Sequence, residues 1–157
     1  MNKNWLKNQR VSGTKSAYDN VQEELKVLQR VDNRFIIWLE EIIDDPESKR
    51  LCIVTEYHSL GSIKDLVDKL NKGSIFWKSI FQSDYTPRLR VNQVKERKRG
   101  LPTILAWQFF RDTLRALYYC HKTIKVIHRD IKPDNIVINS NFEAVLIDFG
   151  VCAVVDH

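Results

Sequence analysis

The chain has 157 residues, 43% of them hydrophobic and 29% charged, enough for one ordinary domain and too few for two separate cores. That balance excludes a chain disordered throughout. The formal charge of +5 is concentrated at Arg88, Arg90, Lys95, Arg97, Lys98 and Arg99, interrupted only by Glu96, and does not by itself mark a nucleic-acid binder.

Residues 1–16 are polar and without a sustained period, which predicts a tail or loop. From Tyr18 the residues Tyr18, Val21, Leu25 and Leu28 recur at spacings of three and four, placing them on one helical face. Glu24 lies at the edge of that face, whereas Glu23 points to solvent. Phe35 to Leu39 and Ile42-Ile43 then have strand character, and a turn at Asp44–Ser48 leads to the antiparallel partner Leu51–Thr55. Glu56 to Ser62 leave the sheet, with Ser62 as the N-cap of a short helix through Leu70.

Residues 71–100 show no steady period and are expected to form a long basic insert. A helix follows over about Thr103 to Lys122, with one apolar stripe at Trp107, Phe110, Leu114, Leu117 and His121 and a second at Phe109, Thr113, Ala116 and Cys120. Short strands come next at Lys125–Ile127, Ile136–Ile138 and Ala144–Ile147. The last two form a hairpin through a turn at Asn139–Phe142. Cys52, Cys120 and Cys152 are far apart and in no C-x-x-C pair, so they are expected as buried or semi-buried free thiols.

The hairpin carries the chemistry. Asn135 immediately precedes its first strand and Asp148 immediately follows its second, so an amide oxygen and a carboxylate meet at one edge. Such a pair suits Mg²⁺, which takes one or two protein oxygens and completes its shell with phosphate and water. Asp130, across a polar turn, can accept a proton from an incoming hydroxyl, and Lys132 can neutralise a transferring phosphoryl group. Singly, each of these is an ordinary turn residue.

As a string, His128-Arg129-Asp130-Ile131-Lys132-Pro133-Asp134-Asn135 followed by Asp148-Phe149-Gly150 matches the catalytic-loop and metal-loop signatures of protein kinases in content and order. The sequence resembles the eukaryotic protein kinase family from its C-helix to just past its D-F-G motif, and Lys132 resembles the Ser/Thr-specific branch. The resemblance implies an α+β, protein-kinase-like fold. Residues 17–58 would be a partial small lobe and hinge, and 59–157 a partial helical large lobe ending just after D-F-G.

It also implies roles. Asp130 would orient the substrate hydroxyl, Lys132 would contact the γ-phosphate, and Asn135 and Asp148 would each bind an Mg²⁺. Glu24 would be the C-helix acid that pairs with the ATP lysine, Thr55 the gatekeeper, and the backbone of Glu56 and His58 the adenine-binding hinge. His128 and Arg129 would support the loop structurally. ATP, Mg²⁺ and a protein substrate with a Ser or Thr acceptor are the implied partners. The phrase Leu39-Glu-Glu-Ile-Ile-Asp-Asp-Pro46 and the run Asp148–Val151 are similar to kinases that phosphorylate the calcium/calmodulin-dependent kinases.

The pattern is also broken. No G-x-G-x-x-G loop and no V-A-I-K strand precedes Glu24, neither Lys7 nor Lys15 sits in an apolar alternating run, and the chain reaches His157 before any A-P-E motif. The expectation is an incomplete kinase domain, not competent by itself. The apolar faces of the Trp107–His121 helix and the Ile136–Ile147 hairpin should then be exposed. Rivals are a non-catalytic pseudokinase-like module, a small-molecule phosphotransferase of the kinase-like superfamily, and a nucleic-acid binder working through Arg88–Arg99. The last is disfavoured because no stacking aromatics interleave those charges. No apolar run reaches the roughly 18–20 residues that span a bilayer, and the N-terminus has no h-region. Membrane partners are therefore not expected, and the location should be cytoplasmic or nuclear.

Overall fold

The computed structural model describes residues 1–12, 15–73 and 100–155. The basic stretch Arg88–Arg99, and with it most of the expected insert, lies outside the described residues. Element order is α1 (Lys3–Asn8), β1 (Arg10–Ser12), β2 (Lys15–Ser16), α2 (Ala17–Leu28), β3 (Leu39–Ile43), β4 (Cys52–Thr55), α3 (Ile63–Asn71) and α4 (Thr103–Tyr119). A π turn (Cys120–Ile124), β5 (Val126–Ile127), a 3-10 turn (Pro133–Asn135), β6 (Ile136–Ile138), β7 (Ala144–Leu146) and β8 (Ala153–Val154) complete it. The strands form four antiparallel pairs, β1 with β2, β3 with β4, β5 with β8 and β6 with β7.

Local chemistry starts two helices where the sequence predicts them. Ser16 caps α2 and Ser62 caps α3, each through a reciprocal box in which the serine hydroxyl accepts the third residue's amide and that residue, Asp19 or Asp65, accepts the serine's amide. Gly61 precedes the second box at φ +79°, a left-handed conformation that glycine adopts without strain. Leu25, Val27 and Leu28 of α2 and Leu66 of α3 are buried.

The expected tail at 1–16 is instead folded. Asn2 accepts the amides of Asn4 and Trp5 to start α1, which buries Leu6 and the stem of Lys3. Distant partners hold it. The Met1 amine donates to Leu51 O at 2.6 Å, the Leu51 amide returns a bond to Met1 O at 2.9 Å, and Lys3 pairs with Asp44 and donates to Asp45 O. The β3 strand begins only at Leu39, because Phe35–Ile37 runs beside β7: Ile37 N donates to Leu146 O, Leu146 N to Phe35 O, and Ile36 bridges Leu146 in parallel.

The core gathers Val27, Leu28, Val31, Ile36, Leu66, Phe109, Ile138, Leu146 and Phe149. The expected exposure of the long helix holds for one of its two stripes, and that of the hairpin does not. Leu105, Phe109, Thr113, Ala116 and Cys120 are the buried stripe of α4, whereas Trp107 (67% exposed), Phe110, Leu114 and Tyr118 face outward. The helix packs against β7, and spacing alone cannot rank two apolar stripes. The hairpin is the reverse of its expectation: Ile136, Ile138, Ala144, Val145 and Leu146 are all buried. Cys120 is buried and Cys152 half-buried, but Cys52 is exposed on β4. Burial pushes the Cys120 thiol up to about 11, which leaves it unreactive.

Candidate active site

The site lies at one end of the β6–β7 hairpin. Register across it pairs Ile136 with Leu146, and the Ile147 amide donates to Asn135 O at 3.0 Å, so Asn135 and Asp148 emerge side by side. The preceding loop is pinned from within. His128 is buried, its Nε2 lies 3.0 Å from Ile147 O, and its Nδ1 accepts the Asp130 amide at 3.3 Å. These bonds assign the proton to Nε2. Burial holds the imidazole below its usual range, so the ring is a neutral strut.

Arg129, at φ +69°, turns the chain so that Asp130 faces its partners. The Asn135 amide nitrogen donates to Asp130 O at 3.1 Å and to Asp130 Oδ2 at 2.8 Å, and Lys132 Nζ reaches the same Oδ2 at 2.6 Å. The Lys132 bond, aided by that from Asn135, holds the Asp130 carboxyl below the usual carboxylate range, and the same bond holds Lys132 above its own. Asp130 is therefore an ionised acceptor, suited to fixing a hydroxyl's direction more than to pulling its proton away early.

Asp148 also adopts a left-handed backbone, φ +64°, in which its Oδ1 accepts the Gly150 amide at 3.3 Å. Non-glycine residues at positive φ are uncommon and collect at functional sites. Phe149 is buried edge-on against His128, ring centroids 4.7 Å apart, and β8 returns to pair with β5. The loop carrying Asp148 is thus clamped on both sides of that residue. The Asn135 nitrogen is committed to Asp130 within a buried residue, which leaves its amide oxygen as the group not used by that bond. That oxygen and the exposed Asp148 carboxylate fit Mg²⁺, a hard cation that asks for only one or two protein oxygens. Asn135 and Asp148 would hold it.

Glu24 is half-buried and Glu23 is exposed, paired with Lys26 at 3.0 Å. A Cβ placed on Gly150 would lie 3.6 Å from Glu24 Oε2, so this acid points at the D-F-G turn. Burial and then the Asp148 carboxylate hold the Glu24 carboxyl above its usual range, partly offset by the Phe149 amide. Lys7 lies over the Tyr18 ring instead, 5.1 Å from its centroid. The side chain of Lys15 lies outside the described residues.

The hinge residues stand apart from this cluster. Thr55 is exposed at the end of β4. Glu56 exchanges bonds with Trp38: its amide donates to Trp38 O at 3.1 Å, and its Oε1 accepts the Trp38 amide at 2.9 Å. His58 Nε2 lies 3.3 Å from the same Oε1, outside hydrogen-bonding alignment.

Sequence reasoning missed two supports. Lys64 of α3 pairs with Asp134 at 3.0 Å, beside Asn135. At the far end of α2, Arg30 donates to Ile124 O at 2.9 Å, while the Tyr119 hydroxyl accepts the Asp32 amide at 2.9 Å and donates to Arg30 O. The helix carrying Glu24 is thereby tied to the end of α4. No local signal announces contacts so distant in the chain.

Comparison with known proteins agrees with this geometry. The family described as "Protein kinase domain" matches residues 3–157. The chain is 30% identical over 156 residues to a probable serine/threonine-protein kinase of Dictyostelium discoideum, covering 99% of this chain and 18% of that protein. It is 30% identical over 132 residues to a calcium/calmodulin-dependent protein kinase kinase of Caenorhabditis elegans, covering 83% and 19%. It is 32% identical over 135 residues to the serine/threonine-protein kinase TOS3 of Saccharomyces cerevisiae, covering 83% and 20%. The chain spans about a fifth of the length of these curated relatives. Among the described residues no helix is long and apolar enough to cross a membrane. Motif, site geometry and relatives converge: the chain belongs to the eukaryotic Ser/Thr protein kinase family.

Proposed function

We propose that this chain carries the catalytic loop and metal loop of a kinase that transfers the ATP γ-phosphoryl group to a Ser or Thr hydroxyl of a protein. The observation that carries the reading is the convergence of Asn135 and Lys132 on one carboxylate oxygen of Asp130, beside Asp148. When bound, Mg²⁺ would neutralise phosphate charge and align the ATP chain for in-line transfer. Asp130 accepts the hydroxyl's hydrogen bond and aims its oxygen, then takes its proton as the bond to the γ-phosphorus forms and the bond from that phosphorus to the ADP oxygen breaks, releasing ADP. Lys132, already cationic and 2.6 Å from Asp130, offers its remaining N–H bonds to the transferring group. His128 and the clamped Phe149 keep these groups from drifting. A cytoplasmic or nuclear location belongs to the same proposal.

One observation favours a second reading, a pseudokinase-like module. Among the described residues, the groups that shift the Glu24 carboxyl besides burial are the Asp148 carboxylate and the Phe149 amide, neither of them a cation. Radiolabelled phosphate transfer to a generic protein substrate, beside calorimetric titration of Mg·ATP, separates the two. For the kinase reading, Asp130→Asn abolishes transfer with nucleotide binding largely kept, and Asp148→Asn weakens Mg·ATP binding itself. Equal effects of both on nucleotide affinity would count against separate roles. Binding without any transfer would favour the module.

A further inference from the structure

The hinge is bounded by two different fastenings. On the large-lobe side the Ile138 amide donates to Gly61 O at 2.9 Å and Ser62 bridges Val137, stitching the end of the hinge to the hairpin that carries Asn135. On the small-lobe side the fastening is a side chain. Glu56 holds the Trp38 peptide from both faces, through its own amide and through Oε1. The His58 side chain is only 9% exposed and presses Nε2 to within 3.3 Å of that oxygen, where Nε2 has no hydrogen-bond partner among the described residues. Between the fastenings Tyr57 is 88% exposed and Ser59 is exposed; the Gly61 amide donates to His58 O at 3.2 Å, and the side-chain contacts here come from Glu56 and His58.

We propose that the Glu56 and His58 side chains form a latch that positions the adenine-binding main chain of residues 56–58, a role distinct from the backbone contacts themselves. The inference rests on the kinase reading of that segment as the hinge. The physical logic is preorganisation. A carboxylate accepting a backbone amide makes a charge-assisted bond stronger than a neutral one, and the nearly buried imidazole covers one side of a carboxylate whose own side chain stays about one-third exposed. With the Glu56 side chain and amide turned back onto Trp38, the Glu56 carbonyl and the His58 amide are left to meet a planar base, and their ordering cost is met before the ligand arrives. Both residues are positioning residues, since neither side chain needs to touch the nucleotide.

The test uses the whole chain and three variants, Glu56→Ala, Glu56→Gln and His58→Ala, with two readouts. The first is amide hydrogen exchange in the nucleotide-free protein; the second is calorimetric titration with adenosine and, separately, with Mg·tripolyphosphate. The latch predicts that Glu56→Ala speeds exchange at the Trp38 and residue-56 amides by about tenfold and weakens adenosine binding about three- to tenfold. Tripolyphosphate binding should stay within about twofold. Glu56→Gln, which keeps an acceptor oxygen, should recover most of both losses, and His58→Ala should show the same pattern more weakly. Unchanged exchange at Trp38, unchanged adenosine affinity, or equal weakening of adenosine and tripolyphosphate would overturn the latch. A wild-type chain that binds neither probe would instead overturn the kinase reading, and the exchange arm would then decide the latch alone.

Discussion

Replacing His128 tests whether the loop carrying Asp130 is braced by a neutral imidazole. His128→Phe keeps ring volume and the edge-on contact with Phe149 but removes the bond to Ile147 O at 3.0 Å and the longer one from the Asp130 amide at 3.3 Å. Two lost bonds in a buried setting cost about 2 kcal/mol at pH 7.5. With a urea dependence of about 2 kcal/mol/M, that moves the unfolding midpoint down by roughly 1 M. His128→Ala also loses the ring packing and leaves a cavity, for about 3–5 kcal/mol.

The pH dependence gives the sharper signature. Burial lowers the folded-state pKa of His128 below its ordinary 6.5, so its contribution is complete above that value and is lost as pH falls through it toward the folded pKa. Protonation of the unfolded chain at pH 5.5 can remove at most about 1.4 kcal/mol from wild type through this group. The phenylalanine variant has no such loss. The gap between the two should therefore narrow on acidification by up to that amount. Urea titrations at both pH values decide it. A gap that stays constant or widens at pH 5.5, or a variant as stable as wild type at pH 7.5, would refute the neutral-strut reasoning.

Glu24→Gln should raise the urea midpoint at pH 7. Its carboxyl is held above the usual range, so ionisation above about 4.5 works against the fold, and the gain should vanish as pH falls below that value. Gly61→Ala should destabilise by about 1–2 kcal/mol, seen as a lower Tm. It would need a left-handed alanine, whose Cβ would sit 2.9 Å from Asp65 Oδ2 and disturb the box that caps α3. A Tm equal to wild type would remove that account.

What the sequence determined by itself was whatever is set by a few neighbouring residues. The Ser62 box, the hairpin joining Ile136 to Leu146 and the string from His128 to Asn135 are each closed within one turn or one pair of strands. Helical phase also separates Glu24 from Glu23, because 3.6 residues per turn fixes which side chain lies on the apolar face. Tertiary structure decided the rest. Both stripes of α4 were apolar, and only packing of the helix against β7 buried Phe109, Thr113 and Ala116 and left Trp107 outside. The polar start of the chain became a helix because Leu51, Asp44 and Asp45 supply partners for Met1 and Lys3 from far along the sequence. The charge environment of Glu24 likewise depends on Asp148 and Phe149, brought to it by packing. Periodicity describes how a segment can present itself to a partner, but which partner arrives is fixed by long-range burial that no local window contains.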